Sequence, residues 1–305
     1  MLERSVARCV AAVEGKRGYG AYPAFATGCH LNMDPKGKVV LITGSTDGVG
    51  RLVARRLADQ GARILIHGRD RHRGKQVVDQ IQEAGRGSAV FLPADFSSLA
   101  EVRRLADALG QDCDRLDVLI NNAGIGSGGS GGKRETSQDG YELRFAVNYL
   151  AGFLLTRLLL PLMLISKPTR IVNVSSLGQH PIDFDDVMLT CRYSGGRAYA
   201  QSKLAQIMFT FDLAREFDPT TIAANCLHPA TYMATTMVRQ SGVTPISTVE
   251  EGAEAILNLA LSKELDGHSG EFYNELRPSR ANAQAYDHRA RERLRALSMR
   301  LTGLA

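Results

Sequence analysis

In KVVLITGSTDGVGRLVARRLADQ, residues 38–60, a β-branched run from Lys38 to Thr43 ends at Gly44, and a helical apolar period starts near Gly48 and continues to about Gln60. A short apolar run bounded by glycine reads as a buried strand, and the period after it as an amphipathic helix. Strand, glycine turn and helix in this order form a dinucleotide cradle. Glycine lets the backbone approach a pyrophosphate, while the helix start offers N–H groups and the positive end of a dipole. Gly44, Ser45, Thr46, Asp47, Gly48, Val49 and Gly50 are the residues of this cradle.

The alternation continues on the C-terminal side. Arg63–His67 reads as a second strand, Ala89–Leu92 as a third, Leu99–Leu109 as a helix and Leu116–Ile120 as a fourth strand. This βαβα order predicts an α/β fold: a single-domain, doubly wound parallel sheet, Rossmann-like, with helices on both faces. The end of strand two faces the adenosine ribose in such a fold, where a carboxylate selects a free 2′-hydroxyl and an arginine accommodates a 2′-phosphate. Here the order is Gly68-Arg69-Asp70-Arg71, so Arg69 favours NADP over NAD, with Asp70 as the competing ribose acid. Asp95, with Phe96 after it, follows strand three as either a turn start or an adenine contact. Asn121-Asn122-Ala123-Gly124 follows strand four, where small residues and amides can lie against a cofactor.

Composition bounds the rest. The chain has 305 residues, 44% of them hydrophobic, and reads as globular. Its longest apolar stretch, Phe153–Ile165, is too short to span a bilayer, so no transmembrane segment is predicted. Five cysteines, at 9, 29, 113, 191 and 226, form no CxxC pair, which argues against a zinc site and for a reducing, cytoplasmic setting. The formal charge is +5, but the basic residues are dispersed. The densest group, Arg289, Arg291, Arg293 and Arg295, lies in a terminal helix without interleaved aromatics and reads as a solvated face, not a nucleic-acid surface. Residues 1–35 lack sustained periodicity and read as a loosely ordered extension, with Met33 as the natural start and 36–305 as the folded domain.

Chemistry concentrates further on. Tyr199 and Lys203 stand one helical turn apart, so an ammonium can lower a phenol's pKa toward neutrality. Gly126–Lys133 lacks the order of a phosphate loop and reads as a flexible loop. A long helix from about Gly140 to Ile165 carries Asn148 among apolar neighbours, where structural and catalytic roles compete. Strand five, Arg170–Val174, delivers Ser175-Ser176 at its carboxyl end. Strand six, Ile222–Leu227, a helix over Val249–Leu261, a last strand over Gly270–Tyr273 and the arginine-rich helix complete the chain.

Taken in order, TGSTDGVG (43–50), NNAG (121–124), Asn148, NVSS (173–176) and YAQSK (199–203) resemble the short-chain dehydrogenase/reductase family over about residues 36–300. The long insert GQHPIDFDDVMLTCRYSGGRA between Ser176 and Tyr199 is similar to the retinol-dehydrogenase-like and protochlorophyllide-reductase-like branch. The resemblance implies a tetrad: Tyr199 as general acid/base, Lys203 tuning it and holding the nicotinamide ribose, Ser176 binding the substrate oxygen, and Asn148 holding a relay water. It also implies cofactor contacts from Asn122, Ala123, Gly124 and Pro229. The threonine that meets the nicotinamide amide is displaced in His228-Pro229-Ala230-Thr231-Tyr232-Met233-Ala234-Thr235, which leaves Thr231 or Thr235 for that contact. Residues 230–247 become a substrate lid, and the two long helices, 140–165 and 197–217, a possible homodimer face. Asp183, Asp185, Asp186 and Arg192 in the insert are either a polar surface loop or the pocket mouth.

The function implied is an NADP-dependent oxidoreductase that interconverts a ketone or aldehyde and its alcohol. Ile125, Leu177, Met188, Leu189, Tyr232 and Met237 near the expected pocket suggest a small to medium, largely apolar substrate. The alternative is a non-catalytic NADP(H)-sensing protein. A serine hydrolase built on Ser176 and His228 lacks its Gly-x-Ser-x-Gly elbow.

Overall fold

The computed structural model describes residues 34–128 and 133–305. The expected extension, Met33 included, lies almost wholly outside them, as do residues 129–132 of the glycine-rich loop. Among the described residues, eight strands form one sheet: β1 (Val39–Ile42), β2 (Arg63–Gly68), β3 (Ser88–Pro93), β4 (Val118–Asn121), β5 (Thr169–Val174), β6 (Ile222–His228), β7 (Phe272–Asn274) and β8 (Arg277–Ser279). Their order is β3-β2-β1-β4-β5-β6-β7-β8, and only the β7–β8 pair is antiparallel. The winding reverses between β1 and β4, where Val40 pairs with Ile64 on one side and Val118 on the other. Ligands bind at such a switch point, outside the carboxyl ends of the strands.

The strands read as unbroken apolar runs because both faces of the sheet are covered. In β1, Val39 and Leu41 join one core while Val40 and Ile42 join the other. The first core packs under α3 (Leu99–Asp112), α4 (Ala151–Ile165), α5 (Gly195–Glu216) and α8 (His288–Thr302). The second packs under α1 (Gly48–Ala58), α2 (Arg71–Ala84) and α7 (Val249–Leu261). Asp, Ser or Thr side chains accept the first free N–H groups of all these except α4, through Asp47, Asp70, Ser98, Ser194, Thr248 and Asp287. A short helix, α6 (Thr236–Gln240), sits between β6 and α7.

Four expectations change. The helix expected from about Gly140 begins at Leu143 and winds as a π-helix over Ala146–Leu150 before α4. Counted through that turn, Leu143–Ile165 is 23 residues long with mean hydropathy 1.6, long and apolar enough to cross a bilayer, which Phe153–Ile165 alone is not. Within this fold it serves as a core helix, with Phe153, Leu154 and Leu155 buried. The last parallel strand is shifted to Phe272–Asn274, and β8 follows it unannounced: Arg-Pro-Ser, all exposed, carries no apolar signal and suits only an edge.

The fourth change concerns the arginine cluster, in which Arg289, Arg293 and Arg295 are exposed as a solvated face requires but Arg291 is not. Arg291 is buried, its Nε 3.1 Å from Asp212 of α5, and Arg295 approaches the other carboxylate oxygen at 3.6 Å. Arg293 lies over the Phe184 ring at 4.6 Å. With the Tyr149 hydroxyl 2.7 Å from Ser298, these contacts seat α8 on α5 and on the π-helical turn. Asp212→Ala strands the buried Arg291 and should lower unfolding stability by about 3 kcal/mol in urea titration. Asp185→Ala removes an exposed partner of Arg293 and should leave the titration unchanged.

Candidate active site

The glycine turn is fixed from β4. Gly44 has φ +66, and a Cβ there would lie 2.8 Å from the Ala123 backbone. A Cβ on Gly50 would fall 2.4 Å from the Gly44 oxygen and 2.5 Å from Asn122 Nδ2. Asn122 Nδ2 donates to the Thr43 and Gly44 oxygens at 2.9 and 3.0 Å, and the Asn122 and Ala123 amides both donate to Thr43 Oγ1 at 2.9 Å. A backbone held this closely, with glycine where a side chain would collide, fits a dinucleotide pyrophosphate.

Not every helix-start N–H is free for a ligand, however. Gly48 N donates to Asp47 Oδ1 at 2.7 Å, and Thr236 Oγ1 donates to Asp47 Oδ2 at 2.7 Å. The segment after β6 therefore reaches back onto the turn, where Thr235 Cγ2 would stand 3.3 Å from a Cβ on Gly48. Thr231 lies elsewhere, its hydroxyl 3.0 Å from His228 Nε2. Ser45 is buried and donates to the Ile42 oxygen, Val49 belongs to the core, and Thr46 packs on Gly68.

Beyond the carboxyl ends of β2 and β3, Arg69, Arg71, Asp95 and Arg104 line a cavity of about 520 Å³. Asp70 caps α2 by accepting from Arg73 N at 3.0 Å, a bond that holds its carboxyl below the usual range. Asp95 starts a turn by accepting from Ser97 N at 2.9 Å. Phe96 is buried and stacks on His67 at 4.2 Å. Sequence reading passed over His67, whose signal is a polar residue inside the buried run RILIHG.

The chemical end gathers at the carboxyl edge of β5. Ser175 turns inward and donates to the Lys203 oxygen at 2.8 Å, a structural role. Ser176 faces Tyr199: a Cβ on Gly178 would lie 3.5 Å from Ser176 Oγ and 3.7 Å from Tyr199 Cε1. A Cβ on Gly124 would lie 3.3 Å from Asn148 Oδ1 and 3.6 Å from Lys203 Nζ, so glycine there keeps both groups within reach of one ligand. Asn148 clasps Ile125 through both backbone groups, at 2.8 and 3.1 Å, and donates to Ser202 Oγ at 3.0 Å. Its structural work is thus evident, performed from a π-turn of the kind that often re-aims a side chain at functional positions.

The electrostatics differ from the simple expectation that Lys203 depresses Tyr199. Lys203 Nζ lies 5.8 Å from the Tyr199 ring centre and donates to the Val174 oxygen and to Gln206 Oε1, both at 2.9 Å. Burial dominates both groups: it raises the phenol, with Ser176 pulling it partly back, and it lowers the ammonium to about 7. His228, at the end of β6, is brought to about 4 by burial and then by Lys203.

The insert before Tyr199 is anchored rather than floating. Ile182, Val187 and Leu189 are buried, and the Asp186 carboxylate accepts from Thr190 N and Cys191 N at 2.8 and 2.9 Å. Asp183 pairs with Arg197 at 2.9 Å. Leu189 and Met188 therefore belong with the core, whereas Leu177, Tyr232 and Met237 are exposed. Among the described residues no cluster of His, Cys, Asp or Glu could hold a metal ion.

Residues 38–244 match the sequence profile of the short chain dehydrogenase family. Human retinol dehydrogenase 12 is 35% identical over 293 residues, covering 92% of this chain and 91% of that protein. Human retinol dehydrogenase 14 is also 35% identical, over 297 residues, 88% of this chain and 87% of its own. Among solved structures, an uncharacterized protein from Mycobacterium paratuberculosis superposes with a TM-score of 0.73 at 30% identity, over 89% of this chain and 96% of that one. A Pseudomonas aeruginosa RhlG/NADP complex gives 0.64 at 28%, over 78% and 94%.

His67 and His228 both stay neutral to about pH 4 when folded, against about 6.5 unfolded, so the unfolded chain binds more protons between those values. Stability should therefore fall as pH drops from 6.5 toward 4, by at most roughly 3 kcal/mol per histidine. His228→Gln, which cannot titrate, should flatten that slope by about half in urea titrations across the window.

Proposed function

The chain belongs to the short chain dehydrogenase family and is an oxidoreductase acting on CH–OH groups with NAD(P), and on that premise we propose that it interconverts a ketone or aldehyde and the corresponding alcohol, NADP-dependently, with Tyr199 as general acid/base. The observation that carries this reading is the meeting of Ser176, Tyr199, Lys203 and Asn148 around Gly178 and Gly124 at the carboxyl edge of the sheet. When bound, the nicotinamide dinucleotide supplies or accepts the hydride. Ser176 Oγ orients the substrate oxygen. Tyr199, held protonated by burial, donates its proton to that oxygen as negative charge develops, which suits carbonyl reduction. Lys203, anchored to Val174 and Gln206, keeps a third N–H free for the cofactor ribose.

Preference for NADP is supported by Arg69, with Arg71 and Arg104 on the same cavity and a carboxylate, Asp70, turned to cap α2. Several structural neighbours are named as NADP or NADPH complexes. A small to medium apolar substrate is supported by Leu177, Tyr232 and Met237 exposed beside the site, and by relatives whose names specify retinol. Residues 230–247 act as the lid, docked through Thr236 on Asp47 and closed on itself by the Met233–Ser247 bridge. The reading keeps the protein in the cytoplasm, with Leu143–Ile165 as a core helix.

Tyr199→Phe should reduce turnover by about 10²–10⁴-fold while dinucleotide binding persists. Unchanged turnover refutes the assigned acid/base. NADP(H) at a hundred times its dissociation constant should stabilise the protein by about 2.7 kcal/mol in thermal unfolding, more than NAD(H) does. Arg69→Ala should erase that difference; a protein that prefers NAD(H) from the outset overturns the NADP assignment.

A further inference from the structure

His67 makes more connections than its place in a buried strand requires. Gly44 N donates to its Nδ1 at 3.1 Å, and its Nε2 lies 3.2 Å from the Ala94 oxygen. Its own amide donates to Ser45 Oγ at 3.1 Å, and its oxygen accepts from Ser45 N at 3.0 Å. The ring stacks on Phe96 with an interplanar angle of 30°. Since Nδ1 accepts and the carbonyl of Ala94 can only accept, the imidazole is neutral with its proton on Nε2.

These contacts join the two ends of the candidate cofactor site. On one side is Gly44, whose left-handed backbone has no side chain of its own to pack. Its oxygen is fixed by Asn122 and its N–H by His67, so the peptide units on either side of Gly44 are both held. On the other side are Ala94 and Phe96, which flank Asp95 at the end of β3. One ring therefore sets the distance between the pyrophosphate side and the adenine side.

We propose that His67 is a positioning residue for the dinucleotide: it does not touch the reacting atoms but holds the cradle in its binding geometry, and so governs cofactor affinity rather than turnover. The proposal rests on the dinucleotide reading above. A rigid cradle binds without first ordering its own backbone, whereas one freed at Gly44 must pay that ordering when ligand arrives.

The test compares His67→Phe, which keeps the stack but loses both ring nitrogens, with His67→Asn, whose side-chain oxygen can replace Nδ1 as the acceptor for Gly44. The NADP(H) dissociation constant of the full chain, measured by calorimetry, should rise roughly tenfold in the Phe variant, the worth of about one hydrogen bond, and much less in the Asn variant. Turnover at saturating cofactor should stay within about twofold of wild type, since only ground-state cofactor binding is lost. Amide hydrogen exchange at Gly44 should accelerate in the Phe variant and not in the Asn variant. Wild-type affinity in the Phe variant overturns the proposal even if its melting temperature falls, because His67 is then only a core residue. If the wild-type protein binds neither dinucleotide, the proposed function fails instead, and Gly44 exchange alone decides whether the brace exists: no change in the Phe variant rejects it.

Discussion

The contact on which the site depends is the one between Thr43 and Asn122, across the point where the sheet changes direction. β1 and β4 are neighbours whose chains leave toward opposite faces, so a crevice opens above them. A crevice alone is only a gap. The Asn122 amide turns it into a shaped surface by taking two carbonyl oxygens of the glycine turn, while Thr43 Oγ1 takes two amides of the β4 turn. Polar groups that would be costly to bury unpaired satisfy one another, and the glycines at 44 and 50 are required because the loops lie too close for side chains. Everything downstream, from the seat of Thr236 on Asp47 to the bond between His67 and Gly44, is made to this fixed turn.

Burial organises the chemical end in the same way. A lysine and a tyrosine on one helix would interact weakly in water, but α5 lies against β5 and β6 and loses its solvent there. Desolvation then acts on both groups in opposite directions, raising an acid and lowering a base. Val174 and Gln206 offset part of the penalty for the ammonium by accepting its hydrogen bonds. Gln206 and His228 belong to this balance as much as the residues named for catalysis do, since they are what Lys203 touches or faces.

The differences between expectation and structure share a cause. The π-helical turn at Ala146–Leu150 has no marker in an apolar run, because its extra residue per turn is a property of how the helix meets α5 and the β4 loop. Arg291 looks like its arginine neighbours in sequence, and only the approach of Asp212, 79 positions away, makes it a buried partner. The strand β8 exists because β7 offers it an edge, not because Arg-Pro-Ser favours extension. Each is decided by a distant element.

By itself the sequence determined the order of the parallel strands, the doubly wound class, the glycine cradle and the membership of the Tyr199–Lys203 pair in one helical face. These depend on local period, on glycine's freedom and on spacing within a single helix, all of which are written in neighbouring residues. Tertiary structure alone decided that Ser175 bonds back to the Lys203 oxygen, that Asp47 is shared between α1 and Thr236 across 189 positions, and that His67 spans two loops. A hydrogen bond needs its partner within about 3 Å in a definite direction, and for residues far apart in the chain that condition is met only when the sheet brings its carboxyl ends together.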